Sequence, residues 1–295
     1  GDTLIASGVL AATNTGTIQN CTVSVGSGMT VRGAPFGGIA GVNSGAVSDC
    51  RITYAGSISV TGGSGNPGGF VGSNSGTVTN GLITTGPGGA VFAAGYNTMA
   101  GFAGSNSGTL SNCSLRPGTD SYAGFTLNSS YRAAGFVLSN SGTITGCSAT
   151  GVFNGGANEA CYAVGFVHTN TGTIARCYAN CLVTGYHAAG FAFVSSDPAA
   201  AVTNCYSMLQ VTADTSGGVA AGFIREGGTG ISDCYAVTEV TGRTTYTFTA
   251  DTCGADCYYL SWSGCGYNST GTGLSMTELA HAFDDDPASW GGADT

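Results

Sequence analysis

Hydrophobic and polar positions along this chain follow a phrase that restarts again and again. Each restart is a glycine and an aromatic or aliphatic residue, a short apolar stretch, and Asn-Ser-Gly. Thr, an aliphatic residue, two further residues and Cys follow. The clearest copies run from Gly69-Phe70-Val71 to Asn74-Ser75-Gly76-Thr77-Val78 and from Gly101-Phe102-Ala103 to Asn106-Ser107-Gly108-Thr109-Leu110. Two more run from Gly135-Phe136-Val137 to Asn140-Ser141-Gly142-Thr143-Ile144 and from Gly165-Phe166-Val167 to Asn170-Thr171-Gly172-Thr173-Ile174. With weaker copies included, the glycine step falls at Gly8, Gly38, Gly69, Gly101, Gly135, Gly165, Gly190 and Gly222, 25 to 34 residues apart. A period of this size with variable insertions is the signature of a solenoid, whose units bury their apolar faces only by stacking.

Within a copy the apolar residues recur every second position, as in Cys21-Val23-Val25, Cys50-Ile52-Tyr54 and Cys205-Ser207-Leu209. A helix would need a spacing of three to four, so the coils are predicted to be strands. Asn-Ser-Gly and Asn-Thr-Gly supply residues that tolerate positive φ and side chains that close local hydrogen bonds, which suits a sharp corner between two strands. The expected fold is all-β: a right-handed, three-sided parallel β-helix of about eight coils, with Phe70, Phe102, Phe136, Phe166, Phe191 and Phe223 in one stacked column. At a spacing of about 4.8 Å between strands, its length is roughly 40 Å.

The repeated phrase resembles the GLUG motif, the Gly-Leu-Val-Gly-x-Asn-x-Gly-x-Ile repeat of bacterial surface and secreted proteins that include adhesins and non-catalytic stalks. The resemblance covers residues 8 to about 260. Phe stands here for the usual aliphatic residue, Asp197-Pro198 replaces the seventh turn, and the eighth has Glu226-Gly227-Gly228. The resemblance implies a β-solenoid at the cell surface and no chemistry of its own. The expected organisation is an N-terminal extension over 1–7, the solenoid over 8–260 and a capping segment over 261–295.

Composition adds to this. Only 8% of residues are charged, 52 are glycine, and all seven basic residues are Arg. A strict repeat with 42% hydrophobic content argues for a packed solenoid over disorder. A net charge of -9 disfavours nucleic acid and anionic membranes as partners. No apolar run reaches the ~20 residues of a membrane span, and Gly1 opens no signal peptide. The chain is therefore taken as a mature product or an excised fragment.

The 12 cysteines divide in two. Cys21, Cys50, Cys113, Cys147, Cys177, Cys205 and Cys234 form a column, with Gly81 in one place and Cys257 as a continuation. Such a column reads as a buried, reduced ladder, with bonding between adjacent coils as the alternative. Cys161, Cys181, Cys253 and Cys265 stand off it and are the candidate disulfides, Cys161 with Cys181 and Cys253 with Cys265. A zinc site from Cys253, Cys257 and Cys265 lacks a nearby fourth ligand, because His281 is distant in sequence.

Catalysis on a β-helix would need clustered carboxylates. Few acids lie close together within a coil; Glu226, Asp214 and Glu239, in or beside coils seven and eight, could approach one another, and solvated turn carboxylates are the simpler reading. Asp284-Asp285-Asp286 lacks the alternation of a calcium loop, and His168 and His187 lack a nucleophile partner. No catalytic, cofactor-binding or metal-binding residue is assigned. Thr17, Thr77, Thr109, Thr143 and Thr173 form a column of the kind that binds ice, but Ala46 interrupts it and hydroxyl ladders are ordinary structure. The insertions Thr61 to Pro67, Gly86 to Asn97 and Arg116 to Arg132 suit adaptable contact surfaces, with Tyr96, Tyr122, Tyr131, Tyr162 and Tyr186 as candidate partner anchors, or else they only cover the solenoid flank.

Solenoid ends expose strand edges that need covering. Ser275 to Phe283 has helical spacing and a capping-box start, so a short helical cap is predicted there. Thr3-Leu4-Ile5 leaves little room for a cap before the first coil. End-to-end self-association through residues 1–12 and 252–295 is expected, or else a host or cell-surface protein or glycan as partner. The expected function is a non-enzymatic extracellular structural protein, either an adhesin segment or a filament subunit. The alternative is a carbohydrate-active β-helix enzyme, a lyase or glycoside hydrolase.

Overall fold

A two-residue period turns half of each strand's side chains inward, and stacking the coils in register is what covers them. The computed structural model describes residues 6–32, 35–61, 65–94, 98–118, 121–195, 197–249, 253–260 and 272–274. It is an all-β solenoid of parallel strands with about seven turns. The predicted helix over Ser275–Phe283 lies outside the described residues, as do Thr3–Ile5, Tyr96, Cys265, His281 and Asp284–Asp286. Among the described residues the one helical element is the single turn Tyr122–Gly124, and no helix is long and apolar enough to cross a membrane.

The fifth coil illustrates the plan. Val137–Asn140 makes the first side, Thr143–Thr145 the second and Ser148–Asn154 the third, and a short fourth strand, Tyr162–Val164, leads into the next glycine step. First and second sides each stack into an eight-stranded sheet, and the fourth strands into a six-stranded one. Register holds from coil to coil: Asn74 pairs with Asn106 and Asn106 with Asn140, while Thr77 pairs with Thr109 and Thr109 with Thr143. The third side continues past these rungs through Cys257–Leu260 and Thr272–Leu274.

Three ladders fill the interior. Phe70, Phe102, Phe136, Phe166, Phe191, Phe223 and Phe248 are wholly buried, and successive ring centroids lie 4.6 to 4.8 Å apart. Each such ring contributes about 1.5 to 3 kcal/mol by burial, and each stacked pair adds about 0.5 to 1.5 kcal/mol. The glycine before each ring is required by space: a Cβ on Gly135 would collide with the carbonyl of Gly165 in the next coil. Phe248 follows Thr247 instead of glycine, which is why the repeated phrase did not reveal it.

The second ladder corrects the expected turn chemistry. The Asn of Asn-Ser-Gly is not the positive-φ residue; it ends the first-side strand and points inward. Asn14, Asn43, Asn74, Asn106 and Asn140 each donate from Nδ2 to Oδ1 of the next Asn at 2.7 or 2.8 Å, and Asn170 donates to Ser195 Oγ at 3.1 Å. The glycine of this turn is needed for close approach, since a Cβ on Gly76 would meet the carbonyl of Gly45. Positive φ falls instead just before the cysteine column, at Asn20, Asp49, Asn80, Asn112, Gly146, Arg176, Asn204, Asp233 and Asp256. Asn, Asp and Gly tolerate this region, and so occupy all but one of these corners.

The cysteine column is the third ladder. Cys50, Cys113, Cys147, Cys177, Cys205, Cys234 and Cys257 are buried and Cys21 is half-buried. Their thiols donate to the carbonyl two residues earlier, as Cys147 does to Thr145 at 3.3 Å. Gly81 holds the missing place, where a Cβ would lie 3.0 Å from ring atoms of Phe70 and Phe102. The expected Cys161–Cys181 disulfide is not made, and all described cysteines are free. Cys181 points into the core from the third side and donates to the carbonyl of Ala149 at 3.3 Å. Cys161 donates to that of Ser130 at 3.0 Å. The partner expected for Cys253 is Cys265, outside the described residues.

Candidate functional site

With the interior given over to ladders, chemistry is confined to outward-facing columns, and one pair of columns stands apart. Three residues before the step glycine, on the fourth strands, come Arg132, Tyr162 and His187, in register. Three residues after it, on the first side, come Leu138, His168, Phe193 and Arg225. The two columns meet across a corner whose floor includes Ala134, Val164, Ala189 and Ala221, a small apolar cluster separate from the main core. Small residues on the floor leave room for the rings above.

The rings interlock. Tyr162 stacks on His187 at 5.4 Å and meets Phe193 edge-on at 4.5 Å, and His168 stacks on Phe193 at 5.2 Å. Two guanidinium groups lie on this surface: Arg132 sits 4.8 Å over Tyr131 and 5.6 Å over Tyr162, and Arg225 sits 4.8 Å over Phe193. Arg225 is also paired with Glu226. No ion pair engages Arg132 among the described residues, and its Nε is buried without a hydrogen bond. The corner thus concentrates two of the chain's seven basic residues and two of its three histidines.

Both histidines are held neutral. Burial, and then the charge of Arg132, lowers the His168 pKa to about 4. His168 Nδ1 bonds Thr169 Oγ1 at 2.9 Å, while its Nε2 is buried without a partner. Burial and Arg225 lower the pKa of His187, with Glu159 opposing them. His187 Nδ1 accepts the Val219 N–H at 3.1 Å, which assigns the proton of the neutral ring to Nε2 and makes that nitrogen a donor.

A cleft of about 320 Å³ adjoins the corner, lined among others by Gly155, Gly156, Thr184, Tyr186, Thr212 and Asp214. Tyr186 meets His187 edge-on at 4.9 Å, so cleft and corner share a wall. Asp214 accepts hydrogen bonds from the Ser216 N–H and hydroxyl, which hold its carboxyl below the usual range.

Tyr131, Tyr162 and Tyr186, three of the candidate anchors, converge on this corner and cleft, whereas Tyr122 lies apart on its helical turn. The three candidate acids are engaged separately: Glu226 by Arg225, Asp214 by Ser216, and Glu239 by Gln210 Nε2 at 3.3 Å. Threonines of the second side stack in register outward, as Thr77, Thr109, Thr143 and Thr173 do, with Ala46 and Ala201 flanking them. A further outward ladder, Tyr178, Tyr206 and Tyr235, stacks at 5.0 and 4.8 Å on the third side. The asparagine ladder, the two arginines and Phe193 escaped sequence reasoning. Counting a fixed offset from each step glycine would have found both corner columns. No protein-family model matches the chain, and no curated protein matches it.

Proposed function

We propose that this protein is a non-enzymatic extracellular structural protein, a β-solenoid scaffold that serves as an adhesin segment at a cell surface. The observation that carries this reading is the interior: phenylalanine, asparagine and cysteine ladders bind every coil to its neighbours and hold the outer columns in fixed register. That arrangement favours presentation over turnover. Scarce charge, the absence of Lys from the sequence and the GLUG-like phrase support the same reading. Antibodies raised against the folded chain should label intact producing cells. Labelling only after lysis, or turnover of a polysaccharide by the purified protein, would contradict the proposal.

One observation favours the filament form of this reading. In the first coil Val9 and Leu10 are 42% and 46% exposed, beside a hollow lined by Met29, Val31 and Phe36. Exposed apolar surface of this kind supports self-association. Sedimentation at rising concentration should show association that Leu10→Glu weakens. A strictly monomeric protein leaves the adhesin segment as the reading and removes the filament.

A further inference from the structure

We propose that the corner and its cleft form one binding site for a short acidic oligosaccharide, with one sugar ring against Tyr186 and an acidic sugar beside Arg132. This rests on the adhesin reading for its biological sense, but the chemistry is local. A saccharide presents hydroxyls that both donate and accept, apolar C–H faces, and, when acidic, one carboxylate. The cleft offers acceptors and donors of matching kind in Asp214, Thr184, Thr212 and the backbone at Gly155 and Gly156. Its volume falls at the lower end of the range for small-ligand sites, about 300 to 1,000 Å³. Tyr186 supplies the ring at the cleft wall, and the neighbouring His187 carries its proton on Nε2 as a donor, with Tyr162 packed behind it between His187 and Arg132.

Arg132 selects for acid. Its guanidinium lies over two tyrosine rings, at 4.8 and 5.6 Å, and has no carboxylate partner among the described residues. A planar guanidinium matches a carboxylate bidentately. Asp214 on the cleft wall, Glu159 near His187 and Glu226 beside Arg225 repel a bare anion such as phosphate, and the cleft's Asp214 accepts from sugar hydroxyls. The net charge of -9 further disfavours long polyanions, so a single terminal acidic sugar fits best. His168, 6% exposed with Nε2 unpartnered, backs the site and stiffens its rings.

The test is titration of the purified full chain with sialyllactose, lactose and inorganic phosphate. Calorimetry and the imidazole proton signals of its three histidines serve as readouts, assigned by single His→Gln variants. Sialyllactose should shift the His187 signal and bind at least about tenfold more tightly than lactose, the worth of one charged hydrogen bond. Arg132→Gln should abolish that preference while leaving the β-rich circular dichroism of the folded chain intact, and Tyr186→Ala should weaken both sugars. Arg132→Lys, which keeps the charge but loses the planar bidentate donor, should recover only part of the preference. The proposal is overturned if neither sugar shifts His187, if phosphate alone reproduces the shift, or if Arg132→Gln leaves the preference intact. A null result here leaves surface labelling of cells untouched, and failed labelling leaves measured sugar binding standing.

Discussion

Asn106 is bonded on both sides, accepting from Asn74 and donating to Asn140, in a place sealed from water. Asn106→Ala removes both ladder bonds, leaves Asn140 Oδ1 without its ladder donor, and should cost about 2 kcal/mol in chemical denaturation. Asn14→Ala, with one ladder bond to lose, should cost less. Equal losses would mean that the amides act singly and not as a ladder. Phe136 has a ring above and below it, and Phe136→Ala should cost about 3 to 5 kcal/mol by opening a cavity in the stack. His168 adds a pH dependence. Its folded pKa of about 4 lies below its ordinary 6.5, so the unfolded chain binds more protons between those values. Stability therefore rises with pH across that window and is lost as pH falls through it, by on the order of 3 kcal/mol at the acid end. Tyr162, Phe193, Thr169 and the charge of Arg132 face the ring, and the lowered pKa of His187 gives the same sign. His168→Phe, matching Phe193 in its column, should flatten most of the slope; an unchanged slope would place the titration elsewhere.

At the scale of the element, what could be read in advance was whatever repeats with the coil. The phenylalanine column and the two-residue phase follow directly from spacing. The phase even places Cys181 inward: Cys177 just before the strand and Ala179, Cys181 and Val183 on it are all buried. Taking it for a disulfide partner weighed its departure from the column above its place in the phase. The asparagine role was legible in part: the side chain does close a local bond, as Asn106 Nδ2 does to the Gly108 carbonyl at 3.3 Å, but its donation to the Asn of the next coil shows only when the coils are stacked. The corner was half legible: its tyrosines stood out by type, whereas Arg132 and Arg225 looked like ordinary surface charges until the coils were stacked. The thiol ladder offers its own check. Burial raises the pKa of Cys113, Cys147, Cys177, Cys181 and Cys205, so these thiols should resist alkylation in the native protein. The half-buried Cys21 and Cys253 should react first. Rapid native modification of Cys147, seen by peptide mass, would contradict the packing.

On the scale of the whole molecule, each coil touches mainly its two neighbours, so stability is a sum of coils and interfaces and should be graded along the axis. Inner coils have two partners, and their first and second sides bond to rungs above and below. The most direct measurement is amide hydrogen exchange resolved to each coil. Segments 71–79, 103–111, 137–145 and 167–175 should be the slowest to exchange and nearly equal to one another. The first rung at 11–19 should exchange faster, and the insertion at 121–124 faster still. If the Asn-Ser-Gly segments exchanged as rapidly as that insertion, or protection ignored the coil order, the stacked-ladder scaffold would be wrong.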